Sequence, residues 1–279
     1  KNLLISGAPI QEINTVRKKF SLIKGGGLAK ILYPRTVYQF LLNDVVGKHT
    51  ERFVSSGIMY PEKISLSLIK KIFKKYNIPL NFSLDGLRFP KKNQSSLKKT
   101  FVIGNNQIAC EKTKLVLEKY NFTTKILKTN FAGTIQEYES LILKSIQRHL
   151  KKLKPKMAYI WGGEPTVRVT GRGKGGRNQE LALRMAIQFY KNEEFQRFSK
   201  GFLTFVSFGT DGRDGPTDAA GAIVTKNTYS EIFKAGQFRT PEEFLIHNDS
   251  YNALTLSNSL IKTEYTGTNL NDIAILFLV

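Results

Sequence analysis

The sequence predicts an α/β fold of two dissimilar three-layer domains, the first of them incomplete. Three observations carry this expectation. Short apolar runs that suit buried strands alternate along the chain with stretches of helical periodicity. The chain has 279 residues, 41% of them hydrophobic, which is enough to bury more than one core. Near the end of its first third, composition shifts to Pro79, Pro90, Asn93, Ser95 and Ser96 among Lys91, Lys92, Lys98 and Lys99, which reads as an exposed linker. The domains are therefore expected at residues 1–97 and 98–279.

The elements follow in order. Residues 2–5 read as a strand, and this abrupt start predicts that the first domain lacks its N-terminal part. Ile13, Val16, Phe20 and Ile23 recur at helical spacing, so residues 11–23 predict an amphipathic helix ended by Gly25-Gly26-Gly27. Residues 37–42 predict a strand running into Asn43-Asp44, and an acid just beyond an apolar strand suits a cleft at a sheet's carboxyl edge. Asp44 there can orient a hydroxyl, hold Mg²⁺ or cap a turn. Residues 65–76 predict a surface helix.

In the second half, residues 101–103 predict a strand and 107–120 a helix containing Cys110, read as a buried small residue rather than a nucleophile. A strand at 125–127 follows. Thr134 and Glu137 then fit a capping box for a helix whose core face is Ile135, Tyr138, Leu141, Ile142 and Ile146. Such βα units predict a mostly parallel sheet with helices on both faces. Residues 202–208 predict a buried strand, Ala219-Ala220-Gly221 the start of a compact helix, 229–235 and 241–246 short helices, and 273–279 a last strand.

The most informative stretch is Trp161 to Glu180, WGGEPTVRVTGRGKGGRNQE. A strand at Ala158-Tyr159-Ile160 leads into it. Gly162 and Gly163 suit a tight turn, and residues 166–170 suit a second strand. Gly171, Gly173, Gly175 and Gly176, set among Arg172, Lys174 and Arg177, precede a helical pattern. Strand, basic glycine loop and helix start in succession suit a phosphate or carboxylate site. The loop has neither the spacing nor the Ser/Thr of a Walker motif. Farther on, Asp211, Asp214 and Asp218 crowd into eight residues, which calls for hydrogen bonds, cations or solvent.

Residues Gly162, Gly163, Glu164, Thr166, Val167, Val169, Gly171, Gly173 and Gly175 to Glu180 together resemble the signature of the C-terminal, MOFRL domain of bacterial-type glycerate 2-kinases. Other segments are similar to the same family: Ser6-Gly7-Ala8, Val16-Arg17-Lys18, Lys24-Gly25-Gly26, Asn43 to Gly47, Gly104-Asn105-Asn106, Gly209 to Gly221, Asn248 to Tyr251 and Thr266 to Asp272. Lys48 stands where the family pattern has a second acid, and Ile58 where it has a proline.

The resemblance implies ATP-dependent phosphoryl transfer to the 2-hydroxyl of D-glycerate, with Mg²⁺ accompanying ATP. It implies an inner polar shell of Asp44, Glu164, Arg177, Asp211 and Asn269. Arg177 would clamp an anion with its two-pronged guanidinium, and Glu164 would fix Arg177 by a charge-assisted hydrogen bond. Lys24, Gly25, Gly26, Gly173, Gly175 and Gly176 would meet the cofactor, and Asp44, Asp211 and Asp214 the metal. One cleft is expected to hold these groups. A catalytic lysine of the family is expected in residues preceding Lys1, so little kinase activity is expected of this chain alone. A related hydroxy-acid acceptor and an inactive anion-binding domain are the competing readings.

Composition narrows the partners. There are 43 Lys and Arg against 22 Asp and Glu, a formal charge of +21. That suits small anions as well as nucleic acid, but zinc-finger spacing, aromatic RNA-binding motifs and basic heptads are absent from the sequence. No nucleic-acid partner is expected. No run has the length of a membrane span, so no membrane partner is expected either. The single cysteine, Cys110, favours a reducing compartment, the cytoplasm. A homo-oligomer is compatible with all of this.

Overall fold

The computed structural model describes residues 2–45, 50–79, 97–149, 154–198 and 202–279. It divides into two compact units, Lys1–Ile103 and Gly104–Val279. Most of the expected linker, and Gly47 and Lys48 beyond Asp44, lie outside the described residues.

The first unit contains α1 (Asn2–Ile5), α2 (Ile10–Phe20), α3 (Gly27–Leu32), β1 (Val37–Asn43), 3-10 turns at Thr50–Arg52 and Val54–Ser56, and α4 (Leu66–Lys75). Strand β2 (Leu97–Asn105) pairs with β1 in a two-stranded sheet. Val16 of α2 packs with Ile69, Ile72 and Phe73 of α4, and Leu3 packs against this cluster. Residues 2–5 are thus a helical turn, not the expected strand. The amides of Ser6 and Ala8 donate back to Asn2 and Leu3, and a four-residue apolar run has no periodicity to separate the two states. The predicted helix at 11–23 stops at Phe20, and the glycine run opens α3, which periodicity did not reveal.

The second unit contains α5 (Asn106–Lys119), β3 (Thr123–Thr134), α6 (Ile135–His149), β4 (Met157–Thr166), α7 (Arg177–Lys191), α8 (Glu193–Gln196), β5 (Leu203–Gly209), β6 (Gly221–Thr225), α9 (Thr228–Ala235), α10 (Pro241–Ile246), α11 (Ser250–Leu256), β7 (Leu260–Ile261) and β8 (Asp272–Leu278). Its sheet has the order β3-β4-β8-β5-β6-β7. Only the β3–β4 pair is parallel. The α/β class stands, but the mostly parallel sheet does not. The last strand, β8, inserts antiparallel between β4 and β5, and no local pattern announces such a crossover.

Alternation along β4 builds three layers. Met157, Tyr159 and Trp161 face the large core under α6 and α7, while Ala158 and Ile160 face Cys110 of α5 on the other side. Burial pushes the Cys110 thiol up to about 12, so it packs as an inert small residue. At the start of α6 the capping box is present, with Thr134 N and Oγ1 donating to Glu137 and Glu137 N donating to Thr134 Oγ1.

Two expected elements change character. Strand β4 runs straight through Gly162 and Gly163 to Thr166, and residues 167–176 form the connection instead of a second strand. A side chain at Gly162 would strike Asn106 and Cys110, and one at Gly163 would strike Phe131, so these glycines serve close approach rather than a turn. Residues Gly221–Thr225 are strand, not helix. A side chain at Gly221 would fall on the Ser207 carbonyl of the neighbouring strand.

Candidate active site

The site is built at one edge of the second sheet. In register, Asp272 at the start of β8 lies beside Gly163 of β4 and Gly209 of β5. The carboxyl ends of β4 and β5 therefore meet there, where open α/β sheets commonly place ligands. Asn106 secures this edge, since its Nδ2 donates to the Leu270 and Asp272 carbonyls and its Oδ1 accepts from Asn130 N.

Arg177, the first residue of α7, reaches over this edge. Its Nε donates to Asp272 Oδ2 at 2.6 Å, its NH2 to Asp272 Oδ1 at 3.2 Å and its NH1 to Glu164 Oε1 at 3.2 Å. The link to Glu164 is the expected one. The guanidinium fork already holds the chain's own Asp272, a residue that sequence spacing could not pair with it at a separation of 95 positions. Burial pushes Asp272 up to about 6 against the opposing pull of Arg177. Burial also acts to lower Arg177, but Asp272 and Glu164 outweigh it, and the guanidinium stays firmly charged.

The start of α7 also holds an anion, and it too comes from the chain. Asp214, only 3% exposed, accepts from Asn178 N at 3.1 Å, Asn178 Nδ2 at 3.3 Å and Gln179 N at 2.8 Å. Gln179 Nε2 in turn donates to the Asp214 carbonyl and to Thr217 Oγ1, and Ser207 donates to Asn178 Oδ1. Burial raises the Asp214 carboxyl, while the Gln179 and Asn178 amides oppose it. Asp214 is thus a remote cap for α7. Both of its carboxylate oxygens accept from amides of α7.

A cavity of about 550 Å³ opens in front of these groups, and Gly173, Gly175, Gly176, Arg177, Asp211 and Asp214 all line it. Val167, Val169, Pro165 and Pro216 supply its apolar wall, and Arg213 adds a cation. The glycines fit the loop onto its neighbours: side chains would strike Asp249 from Gly173, Ser250 from Gly175 and Asp214 from Gly176. Gly173 N donates to the His247 carbonyl and Lys174 N to Asp249 Oδ1. The amides of Gly175, Gly176 and Arg177 meet no acceptor among the described residues. Gly176→Ala is expected to drive a methyl into Asp214 and cost about 1–3 kcal/mol, the usual range for overpacking, read as a lower denaturation midpoint.

Asp211 is half-buried and accepts from Arg213 N. Asn269 is exposed, outside the cavity lining, and its Oδ1 accepts from Asn271 N as part of a turn. That turn is tied to the end of β5, since Leu270 N donates to Thr210 Oγ1 and Thr210 Oγ1 to the Asn271 carbonyl. In the first unit, Asp44 is exposed just past β1. The amides of Gly25, Gly26 and Gly27 donate to Ser56, Gly57 and Lys24 carbonyls, so the expected cofactor contacts of Gly25 and Gly26 do not run through backbone donors. A side chain at Gly26 would meet Pro61, which makes this glycine a packing requirement.

No group of three or more His, Cys, Asp or Glu among the described residues could hold a metal. A metal arriving with a nucleotide needs only one or two carboxylates besides phosphates and water. Asp211, on the cavity wall, fits that need, while Asp214 already accepts from three amide groups. Among the described residues no helix is long and apolar enough to cross a membrane.

Residues 157–272 match the MOFRL family, and residues 1–85 match a domain of unknown function, DUF4147. The chain is 38% identical over 99% of its length to the D-glycerate 2-kinase of Thermotoga maritima, of which it spans 65%. It is 30% identical over 99% of its length to the glycerate kinase of Macaca fascicularis, spanning 81% of that protein. The crystal structure of a glycerate kinase from Thermotoga maritima superposes with a TM-score of 0.86 at 38% identity, over 100% of this chain and 66% of the other. The chain thus spans about two thirds of the length of the Thermotoga relative. From its cavity-lining loop to its fold, the chain belongs to the glycerate kinase family.

Proposed function

We propose that the protein transfers the γ-phosphoryl group of ATP to the 2-hydroxyl of D-glycerate, giving 2-phosphoglycerate and ADP. The observation that carries this reading is the arrangement at the start of α7. The residues Gly175, Gly176 and Arg177, whose amides meet no acceptor among the described residues, line a cavity together with Asp211 and Arg213, and Arg177 is held by Asp272 and Glu164. Donors fixed in advance are what a reaction with developing phosphate charge requires.

In this reading the amides of Gly175 to Arg177 hold a phosphoryl or carboxylate oxygen. Arg177 supplies positive charge without reorganising, because Asp272 and Glu164 fix it. Asp211 either accepts a hydrogen bond from the acceptor hydroxyl and takes its proton, or is the carboxylate that meets Mg²⁺. When bound with ATP, Mg²⁺ neutralises charge on the β- and γ-phosphates. The acceptor oxygen forms the new bond to phosphorus as the bond to the β-phosphate oxygen breaks. Asp44 and Asn269 are retained as candidate polar groups. The lone, buried cysteine fits action in the reducing cytoplasm.

A related, larger hydroxy-acid is the second reading, favoured by the apolar wall of Val167, Val169 and Pro216, which a three-carbon acid does not fill. ADP release by the intact protein, followed with D-glycerate, larger hydroxy-acids and no acceptor, separates the two. Release that depends on D-glycerate supports the first reading, faster release with a bulkier acid supports the second, and release independent of acceptor rejects both.

A further inference from the structure

Two cationic side chains line the cavity at the start of α7, and they differ in what they already hold. Arg177 engages Asp272 and Glu164 with all three of its side-chain nitrogens. Arg213 is half-buried, and among the described residues no carboxylate or carbonyl accepts from its guanidinium. Two of the three acids on the lining are occupied as well, Glu180 by Arg184 and Asp214 by the amides of α7.

The chain nevertheless holds the Arg213 guanidinium in place. Its Cζ lies 4.4 Å from the centroid of the Tyr265 ring. That ring is 73% exposed, so it adds little to a core, and the guanidinium is what it meets. The loop that carries Tyr265 is tied to the end of β5. Thr266 N donates to the Asp211 carbonyl at 3.2 Å and Thr266 Oγ1 to the Thr210 carbonyl at 2.6 Å. A side chain at Gly212 would strike the Glu264 carbonyl, so the two loops pack directly. A cation–π contact uses the face of the ring and leaves the N–H fork for an acceptor. Such a fork matches a carboxylate, to which it donates two parallel bonds. Asp211 belongs to the same turn, and its Oδ1 accepts from Arg213 N two residues on. A 2-hydroxy acid presents its hydroxyl and its carboxylate on adjacent carbons. An acid and a guanidinium on one short turn match that pair.

We infer that Arg213 binds the carboxylate of the acceptor, and so selects a hydroxy-acid over a neutral alcohol. The identity of the acceptor rests on the phosphoryl-transfer reading, and the inference adds the group that recognises it. Arg177 stays with Asp272 and Glu164, and the amides of Gly175 to Arg177 are left to a phosphoryl oxygen. Arg213 meets a part of the acceptor that does not react, so its loss falls on affinity rather than on turnover. Tyr265 is a positioning residue that acts through Arg213.

The test joins calorimetric titration of the intact protein, without ATP, to initial rates of ADP formation. The probes are D-glycerate and D-glyceramide, which keeps the hydroxyls but has a neutral amide in place of the carboxylate. Arg213→Gln removes the charge and strands no carboxylate, so circular dichroism is expected to stay unchanged. It is expected to weaken D-glycerate binding about tenfold or more, as the loss of a two-pronged charge-assisted contact would. D-glyceramide is expected to bind the wild-type protein more weakly and to be indifferent to the substitution. In the rates, KM for D-glycerate is expected to rise by the same factor, with turnover and KM for ATP changed less than about threefold, the pattern of lost uniform binding. Arg213→Lys, which keeps charge without the fork, is expected to recover part of the affinity. Tyr265→Leu is expected to weaken D-glycerate binding about threefold, the size of an exposed cation–π contact. Lys112→Gln, an exposed position of α5, is expected to change it less than about twofold, since distant exposed charges are screened. No saturable binding of D-glycerate by the wild-type protein, or an equal loss for D-glyceramide, would overturn the inference. A rise in KM for ATP with none for D-glycerate would overturn it too, and would assign Arg213 to the phosphates of the nucleotide. Loss of D-glycerate binding in Arg213→Gln, from a protein that forms no ADP, would keep the carboxylate site and reject phosphoryl transfer.

Discussion

Asp214→Ala is expected to destabilise the protein by about 3–5 kcal/mol, well beyond the roughly 1 kcal/mol of an ordinary helix cap. The carboxylate accepts from Asn178 N, Asn178 Nδ2 and Gln179 N, all buried. Alanine strands these donors, and each unsatisfied buried group costs about 1–3 kcal/mol. The segment that carries Asp214 also loses its hold on α7. Trp161 is fully buried in the adjoining core, so its fluorescence reports the urea transition. Asp214→Asn keeps an acceptor for one or two of the donors and is expected to fall between wild type and alanine. A shift of less than about 0.5 kcal/mol for alanine, the size of a surface substitution, would show that Asp214 does not cap α7.

Arg177→Lys is expected to lower turnover by roughly 10²-fold or more, with a much smaller change in the Michaelis constant for the acceptor. Lysine keeps the charge but cannot bond both oxygens of Asp272 and reach Glu164 as well. The loss arises from a charge no longer fixed in place, not from a missing substrate clamp. A variant with wild-type turnover and affinity would remove Arg177 from the reaction. Stability adds an independent readout. Asp272 has its folded-state value raised to about 6 from 3.8. Its contribution to stability is therefore fully present below about pH 4 and is lost as pH rises through about 6. Removing the opposing guanidinium with Arg177→Met leaves burial to act alone. The penalty of that variant is expected to be small at pH 4 and to grow toward pH 7.5. A penalty independent of pH would mean that Asp272 does not carry the charge that Arg177 balances.

Local patterns revealed much of this molecule. Ile135, Tyr138, Ile142 and Ile146 recur at helical spacing and are all buried on one face of α6. Thr134 and Glu137 form the capping box that their spacing announces. Glu164 and Arg177 are bonded as expected, thirteen positions apart. What was illegible depends on long-range placement. Asp272 reaches Arg177 only because β8 inserts between β4 and β5. Asp214 caps α7 from a loop after β5, a helix cap with no local spacing to betray it. Glycines misled where they serve close packing: Gly162 and Gly163 sit inside β4, and Gly221 opens β6. The basic glycine loop does precede a helix start, and the anion that the helix start holds is the chain's own Asp214 carboxylate.

The position of the transferred phosphoryl group tests the account most directly. Proton-coupled ³¹P spectra of the intact protein with ATP, Mg²⁺ and D-glycerate distinguish the two hydroxyls of the acceptor by bonding alone. A phosphate on the 2-oxygen has one proton on the carbon it is attached to and gives a doublet, whereas one on the 3-oxygen has two and gives a triplet. The account predicts a new doublet that grows with ADP and is lost in Arg177→Lys at matched times. A triplet, or ADP accumulating together with inorganic phosphate and no new ester, would contradict it.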